Sequence, residues 1–225
     1  MPLPPLHLGM VTSGQAGDLA IPLQILLLLT LLTFIPALLI AMTSFVRIIV
    51  VLSLLRQALG VQQIPPNQVL IGLALFLTFF IMHPVGERIY TQVVQPYMAQ
   101  EVTAQDALKQ AVVPLRTFML SQVQEKDLRL FVQIGRQPRP QTPDDIPLSS
   151  LLPAFVISEL KTAFQIGFLL YMPFLVLDLV VSSILLSMGM LMLPPVLISL
   201  PFKLMLFVLV DGWHLVVGSL VRSFQ

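Results

Sequence analysis

"SMGMLMLPP" (187–195) puts three methionines within five residues, on a glycine and ahead of two prolines. Gly189 and Pro194-Pro195 should interrupt a helix here. The stretch therefore reads as the tip of a helical hairpin, and its flanks support this. No charge occurs from Leu179 to Phe202, while Asp178 and Lys203 stand about 12 residues either side of the tip. At helical rise both charges come to the same depth, about 18 Å from the turn. An ion pair between them, within or between subunits, relieves two desolvation costs at once. The alternative is that each snorkels or pairs elsewhere; the symmetry favours pairing.

The rest of the chain sets the same context. Of 225 residues, 56% are hydrophobic and 10% charged, against about 25% charged in a soluble domain. The charges cluster: 14 of 23 lie between Glu87 and Asp145, seven of each sign. Charge-free runs also cover Leu19 to Val46 and Gln57 to Gly86. About 20 apolar residues cross a bilayer core as helix, so each run is long enough, and the chain is an integral membrane or membrane-assembly protein. Net charge is +1, which leaves no basic footprint for nucleic acid. With no cysteine, disulfides, thiolate metal sites and thiol catalysis are excluded.

Four regions follow. Residues 1–20 are Pro/Gly-rich, read as a flexible tail, and lack the n- and h-regions of a signal peptide. Residues 21–86 are hydrophobic helices. The first block should break near "MTSF" (42–45), where Thr43 and Ser44 can cap a new helix, and Pro36 should kink rather than end the first helix. Gly60 and Pro65-Pro66 mark a turn, and the next helix should end at His83-Pro84. Residues 87–150 form a polar helical insertion. Thr103 and Asp106 make a capping box, Pro114 should bend or split the helix that follows, and "RQPRPQTPDDIP" (136–147) is a loop. Residues 151–225 form the hydrophobic hairpin. No strand alternation appears, so the fold class is all-α, with four spans by hydropathy.

Other buried charges need partners. Glu159 and Lys161 are two apart and point to nearly opposite sides of a helix, so each needs its own partner or water; a subunit surface suits them better than lipid. Asp211, beside His214 in "VDGWH" (210–214), reads as a buried structural aspartate at a helix break. Arg47 and Arg56 flank the second helix and mark a cytoplasmic side under the positive-inside rule.

Catalytic chemistry is missing from the pattern. His7, His83 and His214 are far apart without HExxH spacing, and there is neither a Walker loop nor GxGxxG. No cofactor is expected. An intramembrane hydrolase using Asp211 or His214 has no nucleophile to go with them. Methionine moulds to its surroundings, and irregular backbone at membrane depth must be buried or line a cavity. Repeated around a ring, Met188, Gly189, Met190, Leu191 and Met192 would form an apolar gasket that excludes ions by dewetting. Core packing and an ion or small-solute channel with a methionine constriction remain the alternatives.

Four blocks, "TSFVRIIVVLSLLRQALG" (43–60), "PPNQVLIGLALFLTFFIMHPV" (65–85), "SELKTAFQIGF" (158–168) and "LPFKLMLFVLVDGW" (200–213), resemble the FliP family. These are the P-type export-gate subunits of the bacterial flagellar type III secretion system, with injectisome homologues. The resemblance runs from residue 21 onward, is weakest in the middle region, and leans to the flagellar branch. It implies a pentameric ring assembled with Q-type and R-type subunits and other export-apparatus and basal-body proteins. That ring would form a helical cone around a channel for unfolded flagellar proteins. It implies the bacterial inner membrane, with lipid contact and much of the complex on the periplasmic side, and no enzymatic role. The family's Gly-Met-Met-Met loop falls on Gly189, Met190, Leu191 and Met192, departing at Leu191. Its charged positions fall on Glu159, Lys161, Asp178 and Lys203. Its members usually carry a cleavable signal peptide, so the start seen here implies a mature or re-engineered N-terminus.

Overall fold

The computed structural model describes residues 16–61, 64–136, 140, 142–190 and 192–224. The described residues are helical, with no strand among them, so the fold is all-α. Residues up to Leu39 and those from Ile40 onward are separate units. In the first, α1 (Ala16–Ala41) passes through Pro36 without ending. It already covers residues 16–20, which sequence assigned to the tail; the remainder of that tail lies outside the described residues. Thr30 and Thr33 donate their hydroxyls back to Leu26 and Leu29 carbonyls, at 2.5 and 3.0 Å. An apolar helix hides polar side chains this way.

The second unit is built on α2 (Phe45–Ala58). Arg47, Ile48, Val51, Leu52, Leu55 and Ala58 recur at helical spacing and are buried, each large aliphatic contributing about 1.5–3 kcal/mol. Ser44 stands at the N-cap, as its position led us to expect, but its side chain caps nothing and its Oγ is buried without a partner. Gly60 ends the helix at φ +78°, the left-handed region that favours glycine. Arg56 staples the turn that follows, donating to Asn67 Oδ1 at 2.7 Å.

α3 (Asn67–Ile89) does not stop at His83-Pro84. It runs through Pro84 into a π turn, Tyr90–Val94, and the short α4 (Gln95–Met98). Proline removes one N–H and its ring crowds the preceding turn, yet the helix continues through Pro84. At Pro96 the missing donor coincides with the π register, where Gln95 N–H reaches back to Tyr90 O. The polar insertion therefore begins inside a continuous helix. Its own α5 (Ala104–Gln122) is not split by Pro114. Thr103 caps it by accepting from the Asp106 N–H at 3.2 Å, and Thr103 Oγ1 donates to the Asp106 carboxylate at 2.7 Å. α6 (Glu125–Ile134) and a 3-10 turn, Pro143–Asp145, complete the insertion.

α7 (Leu148–Ser187) is one helix of 40 residues that carries Pro153 and Pro173 inside it. At helical rise it is about 60 Å long. Its first half lays Leu151, Ala154, Phe155, Ser158, Ala163 and Gly167 against its neighbours in one buried stripe. Small residues let α2 come close: a Cβ on Gly167 would stand 2.2 Å from Leu54 Cδ1. α8 (Pro195–Leu209) returns along α7, and α9 (Gly212–Arg222) closes over the core through Val216 and Leu220.

Among the described residues, two helical stretches, Asn67–Met98 and Leu148–Ser187, are long and apolar enough to cross a membrane. The number rises to four if Ile25–Ala41 with Phe45–Ala58 and Pro195–Leu209 with Gly212–Arg222 each count as one span.

Candidate functional site

The tip of the α7–α8 hairpin is a closed helix end. Met188 is the last helical cap, Gly189 follows at φ +74°, and two bonds fold the chain back. The Gly189 N–H donates to Leu186 O and the Met190 N–H to Leu185 O, both at 3.0 Å. This pair is a Schellman motif, which satisfies carbonyls that a helix end leaves orphaned. Pro194 and Pro195 then start α8 where a missing N–H costs nothing. Between these fixed ends the methionines point outward. Met188 is 63% exposed, Met190 44% and Met192 96%; Leu191 lies outside the described residues. No described methionine of the tip is buried in the chain's own core.

Below the tip, the hairpin is pinned by charge. Lys203 donates to Asp178 Oδ2 at 2.7 Å, and Ser199 donates to Asp178 Oδ1 at 2.5 Å. Lys203 is buried and also reaches Ala58 O, at the end of α2, at 3.3 Å. The two charges placed symmetrically in sequence thus meet within one chain, and a helix-end carbonyl shares the ammonium. Ser199 went unnoticed in the sequence. The available signal was a lone hydroxyl four residues before Lys203, on the same helix face.

A second network surrounds Arg47. Its guanidinium grips Glu159 with two bonds, at 2.9 and 2.5 Å. It also donates to Ser223 O at 2.7 Å, Ser223 Oγ at 3.0 Å and Gln122 Oε1 at 3.0 Å. Phe224 lies 3.8 Å under the guanidinium carbon, a cation–π arrangement. Arg47 is 2% exposed and Glu159 0%. Arg47 does sit in the first turn of α2, but it is no exposed topology marker: burial and five donated bonds make it a core residue. Arg56 is half-buried and bound to the turn.

Glu159 and Lys161 do not meet each other. Lys161 bonds Asp127 of α6, so both charges find partners inside the chain and neither needs a subunit surface for that purpose. Asp127 also accepts from Ser158 Oγ at 2.8 Å, and Ser158 Oγ accepts from the Gln124 N–H at 2.9 Å. Burial works to raise the Asp127 carboxyl, but the bonds from Lys161 and Ser158 and the Lys161 charge together hold it below the usual aspartate range.

Asp211 departs from its expected burial. It marks the break between α8 and α9 with φ +50°, but it is exposed and its carboxylate caps nothing. The turn beneath it is tight because Gly212 lies against the Phe207 ring. Among the described residues no three His, Asp or Glu side chains gather as metal ligands.

The sequence model of the FliP family matches residues 28–220, which include the tip, the Asp178–Lys203 pair and the Arg47–Glu159 pair. The chain belongs to the FliP family. The flagellar biosynthetic protein FliP of Caulobacter vibrioides is 58% identical over 202 residues, or 90% of this chain and 76% of that protein. That of Pectobacterium carotovorum subsp. carotovorum is 56% identical over 211 residues, 94% and 81% of the two chains. That of Bacillus subtilis is 50% identical over 217 residues, 96% and 98% of the two chains. With its long apolar helices, this FliP-family chain is a membrane protein of the flagellar export apparatus.

Proposed function

We propose that this chain is a non-enzymatic, pore-forming subunit of the flagellar protein export gate. Copies of it assemble as a ring with Q-type and R-type subunits, in the inner membrane at the flagellar basal body. Unfolded flagellar proteins pass along the ring axis, and the tip methionines close it to ions between passages. The observation that carries this reading is the tip itself. The backbone is fixed by paired bonds and prolines, while three flexible apolar side chains are held away from the chain's own core. Methionines serving as core filler would be buried.

Three further features support it. A helix of about 60 Å is twice the thickness of a bilayer core, so α7 extends well beyond lipid, which suits a complex raised toward the periplasm. The charges inside its apolar run are neutralised within the chain, which leaves its outer apolar faces free for neighbours. The relatives carry flagellar rather than injectisome names.

The test is to replace Met190, Leu191 and Met192 together with alanine. Ion leak across the cell membrane and secretion of a flagellar substrate are then measured, with co-purification of the Q- and R-type partners as the assembly control. A leak in a complex that still assembles is the expected result. An intact complex that leaks no ions after the replacement overturns the seal. Conduction by the unaltered protein alone would instead favour an ion channel.

A further inference from the structure

We propose that Met188, Met190 and Met192 form an oxidation site: peroxide converts them to sulfoxides, and the modified tip no longer seals. The chemistry follows from exposure. Thioether sulfur is oxidised where an oxidant can reach it; Met98, Met172 and Met205 are exposed too, but the tip is where three methionines fall within five residues. The tip methionines lie open to solvent on a turn with nothing packed around Gly189. Met119 is fully enclosed in a small core with Ile146, Leu151 and Phe155.

The step balances simply. A sulfur lone pair attacks one oxygen of hydrogen peroxide, the O–O bond breaks, and the second oxygen leaves as water once protons have shifted. Sulfur loses two electrons, peroxide gains them, and no carbon–sulfur bond breaks. A reductase using a dithiol donor can remove the oxygen again, so the change is reversible. The product carries a strong hydrogen-bond acceptor where there was a soft apolar group. A constriction that excludes water by dewetting fails when its lining becomes polar. Leu191 cannot undergo this reaction, so this sequence carries one fewer oxidisable position than a tip with methionine there.

The proposed loss of sealing rests on the export-gate reading; the site of oxidation does not. The experiment separates them. Membranes holding the assembled complex receive hydrogen peroxide, and peptide mass spectrometry follows oxygen addition at each methionine over time. The tip methionines are expected to react at least about tenfold faster than Met119, whose reaction must await opening of its core. Equal rates would overturn the site.

Ion leak is recorded on the same samples, before and after treatment with a methionine sulfoxide reductase, and in a complex carrying Met188→Leu, Met190→Leu and Met192→Leu. A peroxide-induced rise in leak that the reductase reverses, and that the leucine variant lacks, is the expected result. Rapid tip oxidation with no rise in leak overturns the sealing consequence. If the alanine variant of the preceding section leaks in that case, the seal itself stands and only its sensitivity to oxidation is refuted.

Discussion

A guanidinium carries five N–H donors, and Arg47 uses all of them on Glu159, Ser223 and Gln122. Two of these contacts do more than neutralise a carboxylate. The Ser223 carbonyl is at the C-terminal end of α9, where a helix leaves acceptors unpaired and a cation is favoured. One side chain thereby ties α2 to α5, α7 and the end of α9. Removing it leaves the Glu159 carboxyl buried without its partner, so Arg47→Met should cost about 3–5 kcal/mol, while the double replacement of Arg47 and Glu159 by apolar residues should recover much of that. Arg47→Lys should lose most of the stability too, because three donors cannot serve five contacts. Thermal unfolding of the purified chain in detergent reads all three variants. A lysine variant as stable as the original would mean the additional donors carry no weight. Sequence gave no route to this network: 112 positions separate Arg47 from Glu159, and no spacing rule links them. Asp178 and Lys203 were legible only because a hairpin places them symmetrically about one tip.

At the scale of elements, α6 is held to α7 by a small polar latch in which Asp127 is the shared acceptor. Its carboxyl is held below the usual aspartate range, and the sign follows. A depressed folded-state value contributes stability above the unfolded aspartate pKa, and that contribution is lost as pH falls through the folded value. Lys161 is half exposed, so solvent screening keeps the effect modest. Replacing Asp127→Asn should lower the melting temperature by a steady amount from neutral pH down to the ordinary aspartate range, and the gap should close in stronger acid. A gap that stays constant through strong acid would show that the charge of Asp127 is not what holds α6. The helices themselves were readable from apolar runs, glycine stops and caps, since these signals are local. Proline misled at Pro84, where α3 continues past the expected stop, while α5 runs through Pro114 unsplit. What sequence lacked was knowledge of whether a neighbour would support the helix across the gap.

Across the molecule's apolar helices the usual arrangement is partly inverted: the pairs Arg47–Glu159 and Lys203–Asp178 lie inside while many large apolar side chains stand outside. Phe76, Phe79 and Phe80 on α3 and Phe164, Phe168 and Leu169 on α7 are all exposed. Composition revealed this excess of apolar surface but not what covers it, because lipid tails and a neighbouring subunit make the same demand on a side chain. The two occupants differ in their response to truncation. Lipid flows into the space left by a removed ring, whereas a packed protein neighbour cannot, and burying a phenylalanine contributes about 1.5–3 kcal/mol. Phe164 and Phe168 are one helical turn apart, so they present a single ridge. In the export-gate reading that ridge meets another subunit. Replacing both with alanine should leave the amount and melting temperature of the isolated chain unchanged, since neither ring is in its core. Recovery of Q- and R-type partners, or of further copies of the chain, should fall sharply in co-purification. Full recovery would assign this part of α7 to lipid. A loss of the chain itself would show that the ridge supports the fold, contrary to its exposure.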